Sequence, residues 1–229
     1  MWRSHKAQRN KGAQLISTTP LTTINCNVIL QPMITVKIEG LDRLAESIKL
    51  TAREIVRAAR STVDTTATAI KALALSEAEK HYNIKKSRLT KTSRGQETIY
   101  VKRSTQTELN AVVTFKGGAS TKSGDRPGLQ HYASKASLKR KKGNYPKYRI
   151  KKDSAQQEVT GGFYTVMPNG GEGIFERIPG TKKIARRTGP GIKQIVENEP
   201  VNSIILAKAQ EILHIKMVQA VNKIVVKRK

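Results

Sequence analysis

Eleven apolar residues, Leu41, Leu44, Ile48, Ala52, Ile55, Ala59, Val63, Ala67, Ile70, Ala74 and Ala78, run from 41 to 78 in ten steps, an average of 3.7 residues per step. That is the α-helical period and not the period of two that a half-buried strand requires. Any fold of this chain must therefore accommodate a long helix and give its stripe something to pack on. A continuous helix would be about 60 Å long at about 1.5 Å per residue. The stretch Ser61-Thr62-Val63-Asp64-Thr65-Thr66 is crowded with β-branched and cap-forming residues, which disfavour a helix interior and leave open two helices meeting near Asp64. The stripe is narrow and rich in alanine, so its partner, a sheet or a second helix, must approach closely.

The rest of the chain reads as short strands and one further helix. Met33-Ile34-Thr35-Val36-Lys37-Ile38 alternates as a strand does, and Thr98 to Lys102 and Leu109 to Phe115 form a hairpin pattern closed by Gly117-Gly118. Strand patterns resume at Tyr148-Arg149-Ile150, Gly162 to Met167 and Gly173 to Arg177. Between the last two lies Pro168-Asn169-Gly170-Gly171, a turn signal because Asn and Gly tolerate positive φ. Val201, Ile205, Ala209, Ile212, Val218, Val221 and Val225 then follow near helical spacing behind Pro200, a residue suited to a helix start. The pattern predicts an α+β domain over 33–229: an antiparallel β-sheet packed by a long N-terminal helix and a C-terminal helix. Residues 1–32, polar and without an acid, read as a flexible arm, and Met33 is a candidate for the true start.

Charge limits the function. The 229 residues carry 43 Lys and Arg against 17 Asp and Glu, a formal net charge of +26. Residues 33–79 and 153–200 are balanced, whereas 80–152 alone carries +17. Such concentration asks for a polyanionic partner, because like charge repels itself in isolation. Within it, 117–146 is Gly, Ser, Lys and Arg without period, a composition that buries too little to offset its ordering entropy; the sequence predicts a disordered, mobile basic loop there. Lys139, Arg140, Lys141, Lys142, Lys147, Arg149, Lys151 and Lys152 are the candidate contacts to phosphates or to an acidic partner, interleaved with Tyr132, Tyr145 and Tyr148. With aromatic residues at 4% of the chain, a stacking platform for single strands has little to build on.

Other chemistry has little support. His5, His81, His131 and His214 are scattered, and the single Cys26 has no partner for a disulfide or a zinc spacing. Neither Gly170-Gly171-Glu172-Gly173 nor Gly189-Pro190-Gly191-Ile192-Lys193 has the spacing of a phosphate-binding loop. The reading is a non-enzymatic protein without cofactor or metal. No stretch approaches the roughly 20 apolar residues of a membrane span, which predicts a soluble intracellular protein.

The order of these features resembles the minor tail protein Z family of tailed phages and prophages, the tail completion proteins. The likeness begins with Val36-Lys37-Ile38-Glu39-Gly40-Leu41-Asp42-Arg43-Leu44 entering an alanine-rich helix, followed by the basic turn from Ile84 to Leu89. Its most specific part is Gly162, Phe163, Met167 and Gly170, continuing to Gly173, Phe175 and Arg177, with Gly189-Pro190 before the last helix. The resemblance covers about residues 33–225; the arm is extra and the basic loop is loosely matched. It implies a structural role late in virion assembly, in the virion tail after assembly in the host cytoplasm. The protein would complete the head-proximal end of the tail, in a homo-oligomeric ring against the tail tube or tail terminator and neck proteins, where the genome DNA end arrives. Without the resemblance, the charge alone points to a free-standing nucleic-acid-binding protein, ribosome-like or nucleoid-associated.

Overall fold

The computed structural model describes residues 33–37, 52–92, 95–117, 126–138 and 145–227. The first strand, β1 (Met33–Lys37), is followed by helix α1 (Ala52–His81), a 3-10 turn (Lys86–Arg88) and strands β2 (Ile99–Lys102) and β3 (Asn110–Phe115). A second 3-10 turn (Leu129–Tyr132), a one-turn helix α2 (Lys135–Leu138) and strands β4 (Lys147–Tyr148) and β5 (Gln157–Glu158) come next. The chain ends with β6 (Gly162–Val166), β7 (Glu172–Arg177), β8 (Ile184–Arg186), a short α3 (Ile192–Val196) and α4 (Val201–Lys227). The predicted mixed α+β architecture is the one observed. Among the described residues the strands pair antiparallel and divide into two three-stranded sheets, ordered β1-β3-β2 and β6-β7-β8, and a two-stranded ribbon, β4-β5.

Helix α1 is continuous through Asp64, which settles the choice that its sequence left open. Part of the stretch that threatened a break is tied down locally, while the Thr62 and Thr66 hydroxyls are buried without a partner among the described residues. Thr65 and Thr68 donate their hydroxyls back to the carbonyls of Ser61 and Asp64 at 2.8 and 3.0 Å, a local bond that competes with helix but is compatible with it. Asp64 looks outward and accepts from the backbone N–H and the hydroxyl of Ser104, both at 2.8 Å, so the β2–β3 connection is tied to the middle of the helix.

The stripe buries as its spacing requires. Ala59, Val63, Ala67, Ile70, Ala74 and Ala78 are fully shielded and share one core with Val36, Ala111 and Val113 of the first sheet and with Ile192, Ile195, Val201, Ile205, Ala209 and Leu213 of the C-terminal helices. The α1–α4 pair is the most extensive packing in the molecule. At its edge Glu77, 4% exposed, accepts from Lys208 of α4 at 2.9 Å and lies 3.6 Å from His81 and 3.8 Å from Lys80. The bond from Lys208 holds the Glu77 carboxyl below its ordinary range against the opposing effect of burial.

The second sheet has a core of its own, built from Leu129, Val159 and Ile174, with Leu138, Tyr148 and Tyr164 packed against it; Tyr148 touches both cores. The expected mobile loop therefore needs correction over 126–138. Pro127 to Leu129 hydrogen-bonds to Arg187 to Gly189, and Leu129, Gln130 and Tyr132 are buried. Leu129 and Tyr132, three residues apart, supply the apolar burial that the average composition of the segment conceals. Residues 118–125 and the lysine cluster at 139–142 lie outside the described residues, as do the N-terminal arm and the stripe before Ala52. Strand β8 and helix α3 stand where the sequence suggested only a Gly/Pro link, and the strand expected at 148–150 shrinks to Lys147–Tyr148.

Candidate nucleic-acid interface

Tyr132 organises the region where the basic segment meets the second sheet. Its side chain is fully buried, its hydroxyl donates to the Pro190 carbonyl at 2.5 Å, and a Cβ on Gly189 would lie 2.3 Å from its ring. Tyr132 thus belongs to the core and is unavailable as a stacking surface. Burial pushes its phenol far above the ordinary range. The Tyr132 carbonyl in turn accepts from the Asn83 amide at 2.9 Å and from the Arg149 backbone N–H at 3.0 Å, so the basic turn after α1 and the 145–152 segment converge on one point.

Two open clefts flank that point. One, about 570 Å³, is lined by Lys85, Arg88, His131, Lys135, Tyr164 and Glu172 among others. The other, about 470 Å³, is lined by Asn83, Tyr132, Ser134, Ser137, Arg149 and Lys152 among others. Ala133 lines both, and α2 stands between them as a ridge: Lys135 and Leu138 face one cleft, Ser134 and Ser137 the other. Residues three apart share a helix face, so one short turn of helix lines two different surfaces.

Of the candidate contacts read from the sequence, Lys139, Arg140, Lys141 and Lys142 lie outside the described residues. Of the remaining four, Lys147, Arg149 and Lys152 are exposed and Lys151 is half-buried, and Tyr148 and Ile150, which alternate with Lys147 and Arg149, pack against the core. Arg149 and Lys152 line the second cleft, whereas Lys147 lies 3.9 Å from Glu158 and Lys151 donates to Asn198 at 3.3 Å. Lys85, Arg88 and Lys135 are the additions of the fold. Their signal was present in Lys85-Lys86-Ser87-Arg88, a basic turn directly after a long helix, but only the fold sets it beside the 126–138 segment.

The first cleft is not uniformly positive. Glu172 accepts from the Tyr164 hydroxyl at 2.7 Å, and that bond raises the Tyr164 phenol above its ordinary value. The Gln130 amide donates to the Glu172 carbonyl at 2.9 Å and approaches His131 Nε2 at 3.3 Å. Burial, with Arg88 and Arg186 nearby, lowers the His131 pKa, and Glu172 opposes the shift. Among the described residues no cluster of three or more His, Cys, Asp or Glu is arranged to hold a metal ion, and no helix is long and apolar enough to cross a membrane.

The residues of the family likeness have structural positions. Gly170 sits at φ +78° in the β6–β7 turn, where Gly170 N–H donates to Met167 O at 2.8 Å and Met167 N–H to Gly171 O at 2.9 Å. Gly162 admits the Val159 side chain, which a Cβ would meet at 2.5 Å. Phe163 pairs across the strands with Phe175 at 6.3 Å between centroids, and the Arg177 guanidinium lies 5.9 Å from the Phe163 ring centre. Gly173 packs below Arg186 and Phe175. Gly189-Pro190 leads into α3, with the final helix following after it. Compared with protein-family models, with curated proteins and with solved structures, the chain has no match.

Proposed function

We propose that this chain is a non-enzymatic structural protein of a tailed phage or prophage, completing the head-proximal end of the tail. One observation carries the reading. Three of the segments on which the resemblance rests, the basic turn at 84–89, the hairpin at 162–177 and the Gly189-Pro190 turn, are far apart in sequence yet gather around Gln130 to Tyr132, through Asn83 just before the turn, Glu172 and Pro190. Shared pattern elements that meet at one place are what a common fold would require. The body supplies apolar faces for seating in a ring with tail tube, terminator and neck proteins, since heterologous contacts that close give cyclic oligomers. The basic clefts face the genome end.

Quantitative mass spectrometry of density-purified particles from an induced culture tests this directly. A few stoichiometric copies per particle is the expected result. Abundance in the lysate with absence from infectious particles would reject it. That outcome would favour the second reading, a free-standing nucleic-acid-binding protein, which the paired basic clefts support independently of any assembly role.

A further inference from the structure

We propose that the two clefts form a single tract for the phosphate backbone of double-stranded nucleic acid, with α2 as the ridge between two sets of cations. On one side stand Lys85, Arg88 and Lys135, and on the other Arg149 and Lys152. All five side chains are exposed and, among the described residues, none is engaged in an ion pair, whereas Lys71, Lys147, Arg187, Lys193 and Lys208 each have a carboxylate partner. Cations kept free at the mouths of concave surfaces suit phosphate contact, which needs positive charge and reach but no sequence-specific pocket. A duplex presents two backbones, and cations on both flanks of a ridge match that better than a single row would.

The clefts offer little to a single strand. Tyr132 is buried and, among the described residues that line the clefts, Tyr164 is the one other Tyr, Phe or Trp ring, so the repeated aromatic faces of a stacking platform are missing from these described walls. Among the described residues Glu172 is the one acid lining the first cleft. Its charge opposes phosphate binding, so its removal must strengthen the complex.

The test uses the full chain and a 30-base-pair duplex of arbitrary sequence, with affinity followed against salt. Replacing Lys85, Arg88, Lys135, Arg149 and Lys152 together by Gln should make the log–log salt slope shallower by about 4 to 5, at roughly 0.9 per phosphate contact. Replacing five exposed cations elsewhere, Arg53, Arg57, Arg60, Lys182 and Lys183, changes the net charge equally and should leave the slope near that of the parent. Glu172→Gln, which keeps an acceptor for Tyr164, should tighten binding several-fold, a gain that misfolding cannot imitate. Equal losses in the two five-fold variants would overturn the proposal, as would unchanged affinity in Glu172→Gln. Tighter binding of the corresponding single strand would overturn the duplex assignment. A cleft variant that lost polyglutamate binding but kept its duplex slope would assign the tract to an acidic protein instead. Particle stoichiometry plays no part in these readouts, so this inference and the assembly role fail separately.

Discussion

The body built on α1 and α4 and the unit built on β6 to β8 are held together by different means. The body buries a continuous stripe of aliphatic side chains between helices and a sheet. The second unit's own apolar cluster is small, Leu129, Val159 and Ile174, and the unit depends on close backbone approaches and on hydrogen bonds converging on Gln130 and Tyr132. The larger buried core lies in the first, and the cleft cations stand along the border between the two: Lys85 and Arg88 follow Ile84 and precede Leu89 of the main core, whereas Lys135 shares its short helix with Leu138 of the smaller one.

That contrast is open to measurement. Ile205→Ala in the main core should cost about 2 to 5 kcal/mol by chemical denaturation. Ile174→Ala in the small core should fall at the lower end of that range, with its loss visible as faster hydrogen exchange in β6 and β7 while α4 remains protected. Equal costs, with exchange rising uniformly, would show that the two regions unfold as one. Gly189→Ala drives a Cβ toward the Tyr132 ring and should cost about 1 to 3 kcal/mol; much of this should return in combination with Tyr132→Leu, which would establish the contact as the brace between the units.

Glu77→Gln should cost about 1 to 3 kcal/mol by weakening a charge-assisted bond to Lys208. Because the folded-state pKa of Glu77 is lowered, the unfolded chain binds the proton more readily and stability rises with pH through the interval between the two values. The contribution is complete above the ordinary carboxylate pKa of about 4.3 and is lost as pH falls through the lowered folded value. The Gln variant should show a flatter acid limb in its pH–stability profile. Ser104→Ala removes one of two bonds to Asp64 and should cost about 0.5 to 1.5 kcal/mol, the smallest of these effects, with the β2–β3 connection exchanging earlier.

The elements that were legible in the sequence are those long enough to show a period. Helices α1 and α4 and strands β3, β6 and β7 stand where alternation or helical spacing put them. Strand β8, with three residues, and α3, with five, are too short to display a period against their neighbours. The 126–138 segment was hidden for a different reason. Its composition is polar on average, and two residues, Leu129 and Tyr132, determine its fate by finding partners more than twenty residues away in the chain. The site follows the same division. Arg149 and Lys152 could be named from a charge run, but Lys85, Arg88 and Lys135 join them only through Asn83 and the Tyr132 carbonyl, a connection no local pattern contains.

The alanines of α1 have one further consequence. Ala59, Ala67, Ala74 and Ala78 have no exposed surface, and each side chain reaches only one carbon beyond the backbone. Where they lie, the distance from the helix to its neighbours is fixed by main chain and leaves nothing to compress. A longer side chain there has no rotamer that escapes the collision, and an adjacent one cannot yield by turning aside. The seam therefore works as a gauge. It holds the spacing between α1 and the sheet and helices packed on it constant, so any adjustment in the fold must come from elsewhere.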